Sequence, residues 1–141
     1  MRYCVVAVGR MRDAALRAAA DEYVKRLGRY THLEEREAKD EARLNGSIPE
    51  RARLVALSRT GEPWSSADLA RCTAEWDQAG QEVALLIGGA DGLPEPLMRS
   101  AERVWSLSPL TFPHELARVI VLEQLYRAFT IRRGEPYHRS R

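Results

Sequence analysis

Four stretches of the 141-residue chain combine residue types that can do chemistry. The first is Gly88-Gly89-Ala90-Asp91-Gly92, which closes an apolar run over 82–89. Glycine lets a ligand approach the backbone and permits left-handed dihedrals, so this stretch is either a cradle for a small molecule or simply a turn. The second runs from Leu107 to Phe112, where Ser108 and Thr111 sit among Leu107, Pro109, Leu110 and Phe112. That mixture suits a ligand with an apolar part and several polar groups, although Thr111 is also a plausible helix cap. The third is Leu57-Ser58. The fourth is the ending RRGEPYHRSR, with four arginines against one glutamate and Tyr137-His138-Arg139 inside it. GGADG matches neither the GxGxxG dinucleotide pattern nor a Walker phosphate loop, so neither NAD nor ATP is implied.

Other candidates carry less. His114 falls in the first turn of the last helix and reads as a packing or capping histidine, because no second His or Cys lies at metal-ligand spacing. His32 is isolated. Cys4 and Cys72 form no disulfide framework and read as small packing residues, which fits a reducing cytosol. No GxSxG elbow or HExxH pair is present. The opening apolar run breaks at Gly9, too soon for a signal peptide, and no apolar run approaches the ~20 residues needed to span a bilayer.

Bulk composition is that of a folded chain: 45% apolar and 30% charged, at a length that makes one domain. The net charge is +2, yet the last ten residues alone carry +3. A phosphate-bearing partner would therefore be met at the C-terminus, the plain alternative being a solvated basic tail.

The elements that must position these residues alternate. Strands are predicted at 2–9, 53–58, 82–89 and 103–108, with HLEEREA (32–38) as an exposed strand. Helices are predicted from Asp13 to Leu27, from the Ser65–Asp68 capping signature to Ala79, from Pro94 to Glu102, and from Thr111-Phe112-Pro113 to Arg132. Residues 39–47 read as loop, Pro49 to Ala52 as one helical turn, and Thr60-Gly61-Glu62-Pro63 as a turn of the chain. Such alternation implies an α/β fold, a mostly parallel sheet flanked by helices. In these folds ligands gather beyond the carboxyl ends of strands, which is where three of the four stretches fall. The last helix is apolar around nearly its whole circumference and so needs cover on two sides, a second copy being the economical candidate. Glu123 and Arg127, one turn apart on it, either pair structurally or serve a site.

VALLIGGADGL, VWSLSPLTFPHELARVIVLEQLYRAFTIRRGEPYHRSR, the opening MRYCVVAVGR and LVALSRTGEPWSS together resemble the RlmH-type methyltransferases of the SPOUT class. The resemblance spans most of the chain and departs at 39–52, which is shorter than the family's usual segment. It implies one SPOUT domain over residues 1–141, a C-terminal trefoil knot and a cytoplasmic homodimer. It also implies S-adenosyl-L-methionine held by Leu57, Gly88, Leu107, Ser108, Pro109, Leu110, Thr111 and Phe112. The implied reaction is methylation of N3 of a pseudouridine in helix 69 of the large-subunit (23S) rRNA, on assembled ribosomes. Tyr137, His138 and Arg139 then become the tail that completes the partner's active site, with Arg118 and Arg127 as further contacts or as helix packing. Two rivals remain: a SPOUT enzyme with another RNA target, and a ribosome-binding module without turnover.

Overall fold

The computed structural model describes residues 2–139; Met1, Ser140 and Arg141 lie outside the described residues. Along the chain run β1 (Arg2–Val8), α1 (Ala14–Leu27), β2 (His32–Ala38), α2 (Glu41–Leu44), β3 (Arg53–Pro63), α3 (Ser66–Ala79), β4 (Val83–Ile87), α4 (Glu95–Ser100), β5 (Arg103–Ser106) and α5 (His114–Arg132). All strand pairs are parallel, in the order β2-β1-β4-β3-β5, so the expected α/β architecture is present.

Local chemistry starts and stops the helices. The Asp13 carboxylate accepts from Leu16 N at 3.0 Å to open α1. Ser65 and Asp68 bond each other's backbone amides reciprocally to open α3, and Gly80, at φ 77°, closes it. Side chains alternate across the central strands. Tyr3, Val5 and Ala7 with Val83, Leu85 and Ile87 face a large core shared with α1, α3 and α5. Cys4, Val6, Ala84 and Leu86 face a smaller core closed by Leu44 of α2 and Leu97 of α4. Both central strands are covered on two faces, which is why they read as continuous apolar runs. Each fully buried Val or Leu there contributes about 1.5–3 kcal/mol.

The edge strand β2 is different. Glu34 and Arg36 pair at 2.9 Å on one face, while Glu35 and Glu37 point to the other, toward α1 and α5. Charge along an edge also discourages pairing with foreign strands.

Several expectations need correction. Residues 39–47 are not loop: they hold α2 and a 3-10 turn, Asn45–Ser47. Pro49 to Ala52 is a reverse turn, not a helical one, because Arg51 has φ 63°. Thr60-Gly61-Glu62-Pro63 does not end the strand. β3 continues to Pro63, and Trp105 is in register with both Leu57 and Glu62. Gly61 is required there because a Cβ would stand 2.6 Å from Val104 O. β4 and β5 stop at Ile87 and Ser106, two residues earlier than predicted, as the chain leaves the sheet to build loops. α4 stops at Ser100, since Glu102 N is already bonded to Leu54 O at 2.8 Å.

α5 packs against both α1 and α3 on one face of the sheet. Much of the apolar circumference seen in its sequence is therefore covered within one chain. Leu116, Ile120, Glu123, Gln124, Arg127 and Ile131 remain only half-buried and form one stripe along it. No helix among the described residues is long and apolar enough to cross a membrane.

Candidate active site

The sheet order sets up a crevice. The chain leaves β1 toward α1 on the large-core face, and leaves its neighbour β4 toward α4 on the other. Loops that diverge this way open a gap at the carboxyl ends of the strands. A cavity of about 700 Å³ lies there, built by the loops after β3, β4 and β5 and the first turn of α5.

Seven of the eight residues singled out for a ligand line it: Leu57, Gly88, Leu107, Ser108, Leu110, Thr111 and Phe112. Pro109 is in the same loop but outside the lining. The glycines have separate reasons. A Cβ on Gly88 would sit 2.4 Å from the Gly92 carbonyl carbon, so the loop can fold back on itself only with glycine at this position. Gly92, at φ 77°, then makes the reversal, with its N–H donating to Gly89 O at 3.0 Å. In the third loop Ser108 Oγ accepts from Leu110 N at 3.0 Å, which leaves the Leu110 side chain 69% exposed. Thr111 does not cap α5, because Pro113 holds that position without a side-chain cap bond.

Arg59, Thr60, Asp91, Glu95, Met98 and His114 also line the cavity. Arg59 and Thr60 were missed because the segment read as a turn leading away. His114 reads from the sequence as a packing or capping residue, yet it sits in the cavity wall, one residue beyond the cap position. Asp91 lies within a stretch already singled out.

The tail folds back on α5. Tyr137 Oη donates to Glu123 Oε2 at 2.7 Å, its ring meets Tyr126 edge-on at 4.6 Å, and the Arg127 guanidinium covers it at 4.8 Å. Burial, then hydrogen bonds to Glu123 and Tyr23, push the Tyr137 phenol far above its ordinary range, so it stays a neutral hydroxyl. Arg127 Nη1 stands 3.1 Å from His138 Nδ1. A guanidinium only donates, so Nδ1 accepts and the ring hydrogen sits on Nε2. Tyr137, His138 and Arg139 do not line the cavity of their own chain.

Arg118 is 1% exposed. Its Nη1 is 2.8 Å from Glu37 and 3.5 Å from Glu35, and Nη2 donates to Gly9 O at 3.4 Å. It packs the helix onto β2. Arg127 pairs with Glu123 at 2.7 Å, and the same two residues hold His138 and Tyr137. Cys4 and Cys72 are buried, and burial pushes the Cys4 thiol up to about 11. Among the described residues no group of three His, Cys, Asp or Glu is placed to hold a metal ion.

Residues 1–138 match the family described as "Predicted SPOUT methyltransferase". The chain is 42% identical over 153 residues to Ribosomal RNA large subunit methyltransferase H of Anaeromyxobacter sp. (strain Fw109-5), covering 99% of this chain and 100% of that one. It is 47% identical over 143 residues to the protein of the same name from Sorangium cellulosum (strain So ce56), covering 97% and 99%. Its fold is similar to that of a probable methylase family protein from Haemophilus influenzae Rd KW20, with a TM-score of 0.60 at 9% identity over 94% of this chain and 66% of that one.

The cavity fits S-adenosyl-L-methionine on its own chemistry. Leu57, Ile87, Leu107 and Phe112 offer apolar surface, the 88–93 and 108–111 backbones offer polar groups, and the volume suits a ligand of that size. With this cavity and a match over nearly its whole length, the chain belongs to the SPOUT methyltransferase family and is an S-adenosylmethionine-dependent methyltransferase.

Proposed function

We propose that the chain, one SPOUT domain over residues 1–141 with its C-terminal part knotted, methylates the large-subunit (23S) ribosomal RNA as a cytoplasmic homodimer. The target is N3 of a pseudouridine in helix 69 on assembled ribosomes, and the C-terminal tail of one subunit completes the cavity of the other. The observation that carries the composite site is that Tyr137 and His138 dock on their own α5, and neither they nor Arg139 line their own cavity. The half-buried apolar positions Leu116, Ile120 and Ile131 on the same helix support a second copy as the cover. The names of the relatives support the RNA class.

When bound, the donor supplies a methyl group on sulfonium sulfur, which leaves with its bonding pair on sulfur as the new nitrogen–carbon bond forms and the imide proton departs. The chain's work is mainly positional, because in-line transfer needs nitrogen, carbon and sulfur aligned and water excluded. Leu57, Gly88 and the Leu107–Phe112 loop, Pro109 included, hold the donor. From the partner, Tyr137 stacks on the target base, His138 receives or relays the imide proton, and Arg139 stabilises the developing imide anion. With a net charge of only +2, one subunit is a weak general RNA binder, so selectivity comes from the assembled ribosomal surface.

Purified ribosomes test this with three proteins: wild type, a chain ending at Pro136, and Gly88→Leu. Truncation is expected to cost about 10²–10⁴-fold in methylation while leaving donor binding intact by calorimetry. Gly88→Leu should lose donor binding. Mixing the two inactive proteins should restore activity, because a mixed dimer contains one intact tail facing one intact cavity. An active truncation, or a mixture that stays dead while mixed dimers form, sinks the composite site.

A further inference from the structure

We infer that the loop after β1, residues 9–13, forms the second wall of the crevice and holds the phosphate backbone of the RNA substrate through Arg10 and Arg12. This rests on the reading of the chain as an RNA methyltransferase and adds residues to it that lie outside the cavity lining.

The loop is unusually well tied down. Gly9 N donates to Ala38 O at 2.8 Å, and Gly9 O accepts from Arg118. Met11 N donates to Glu37 Oε2 at 3.1 Å. Arg12 N and Asp13 N both donate to Glu115 Oε1, at 2.8 and 3.0 Å. The Met11 side chain is buried in the large core, and the Asp13 carboxylate is occupied by Leu16 N. Three consecutive backbone amides are thus held by carboxylates from β2 and α5, which fixes the direction in which the residues between the anchors face.

Those residues are Arg10 and Arg12, both exposed, on either side of buried Met11. Neither guanidinium has a hydrogen bond or ion pair among the described residues. Among these residues, carboxylates pair with Arg17, Arg26, Arg36, Arg53 and others, while Arg29, Arg59 and Arg99 are also without one, so what sets Arg10 and Arg12 apart is the tied-down loop that carries them. Two free guanidinium forks on a preorganised loop match phosphate oxygens in geometry and charge, and little ordering entropy is lost when they engage.

Position points the same way. β1 and β4 are neighbours, with Ala7 opposite Ile87, and Ile87 lines the cavity. Val8, the last residue of β1, lies 3.4 Å from where a Cβ of Gly89 would stand. Glu115, which grips the loop, directly follows the cavity residue His114. A nucleotide reaching the methyl donor would pass between the two walls, bringing its flanking phosphates to this loop. Such contacts orient the substrate without reading its sequence.

The test uses full-length enzyme and assembled ribosomes with R10A/R12A and R10K/R12K, each checked against wild type for thermal unfolding. For R10A/R12A the KM for ribosomes should rise about tenfold, with kcat at saturation within about twofold of wild type. The slope of log affinity against log salt should become shallower by about 1 to 2, one contact each. Affinity for S-adenosylmethionine by calorimetry should not change, and the lysine pair should recover most of the loss. An unchanged KM and salt slope overturns the inference, and so does a loss of donor affinity, which would assign the loop to the cavity. If R10A/R12A proves unstable, the single substitutions and the lysine pair decide on the same readouts. A wild type that methylates no ribosomal RNA sinks the underlying reading and this inference with it. A variant that matches an active wild type sinks this inference alone.

Discussion

Arg118 and Arg127 stand on the same helix and both pair with glutamate, but their partners come from different distances along the chain. Arg118 is 1% exposed and reaches Glu35 and Glu37, on the far edge of the sheet. Arg127 is 24% exposed and pairs with Glu123 one turn back, while its outer side meets Tyr137 and His138. The first pair can exist only when β2 and α5 have come together. The second needs nothing more than a helix. One arginine holds the sheet, the helix and the loop after β1 in register, and the other gives the tail a resting place. The face of α5 that carries Arg118 is therefore committed to the fold, while the half-buried stripe that carries Glu123 and Arg127 holds the tail.

Arg118→Met should produce the largest loss. It takes the close guanidinium from Glu37 and leaves Arg17 as the cation beside both β2 carboxylates, and losing the buried partner of such a pair costs about 3 kcal/mol. Urea unfolding measures it, and a loss under about 1 kcal/mol would erase the contrast with Arg127. Arg127→Met should cost less stability, about 1 kcal/mol, since a helix-local pair that is partly exposed contributes little. Its signature should be functional: methylation falls further than stability does, and carboxypeptidase removes residues past Pro136 faster. Equal effects of the two substitutions on both readouts would break the comparison.

Acid should sharpen it. Burial by itself would raise the Glu37 carboxyl, but hydrogen bonds from Arg118 and the Met11 amide, with the charges of Arg118 and Arg17, outweigh it and hold the group below its ordinary value of 4.5. A depressed carboxylate gives stability that is fully present above the unfolded value and is lost as pH falls through the folded one. Unfolding free energy should therefore drop as pH falls below about 4.5, and Glu37→Gln should flatten that drop. An unchanged acid limb would mean Glu37 carries none of it. The smallest effect is expected at the tail: Tyr137→Phe removes one hydrogen bond and should cost about 1 kcal/mol or less by the same urea titration. A cost of several kcal/mol would make the tail part of the core instead.

Local features were legible from the chain alone, because their causes lie within a few residues. The Ser65–Asp68 box, the Gly80 stop and the continuous apolar runs of β1 and β4 are of this kind, and the α/β class follows from them. So were the three strand-end loops, since a parallel sheet gathers its loops at one end whatever their sequence. Gly61 was misread because the atom that demands glycine, Val104 O, is 43 residues away and invisible to any turn signal. A still longer separation hid Arg118: on α5 it is one arginine among several, and only β2, 81 residues back and brought against the helix, makes it the best-buried charge among the described residues. Exposure of Arg10 and Arg12 was equally undecidable, as it depends on Glu37 and Glu115 accepting from the amides of Met11, Arg12 and Asp13. Hydrophobic pattern and capping are short-range physics written residue by residue, whereas charge burial and backbone contact depend on what folding brings opposite.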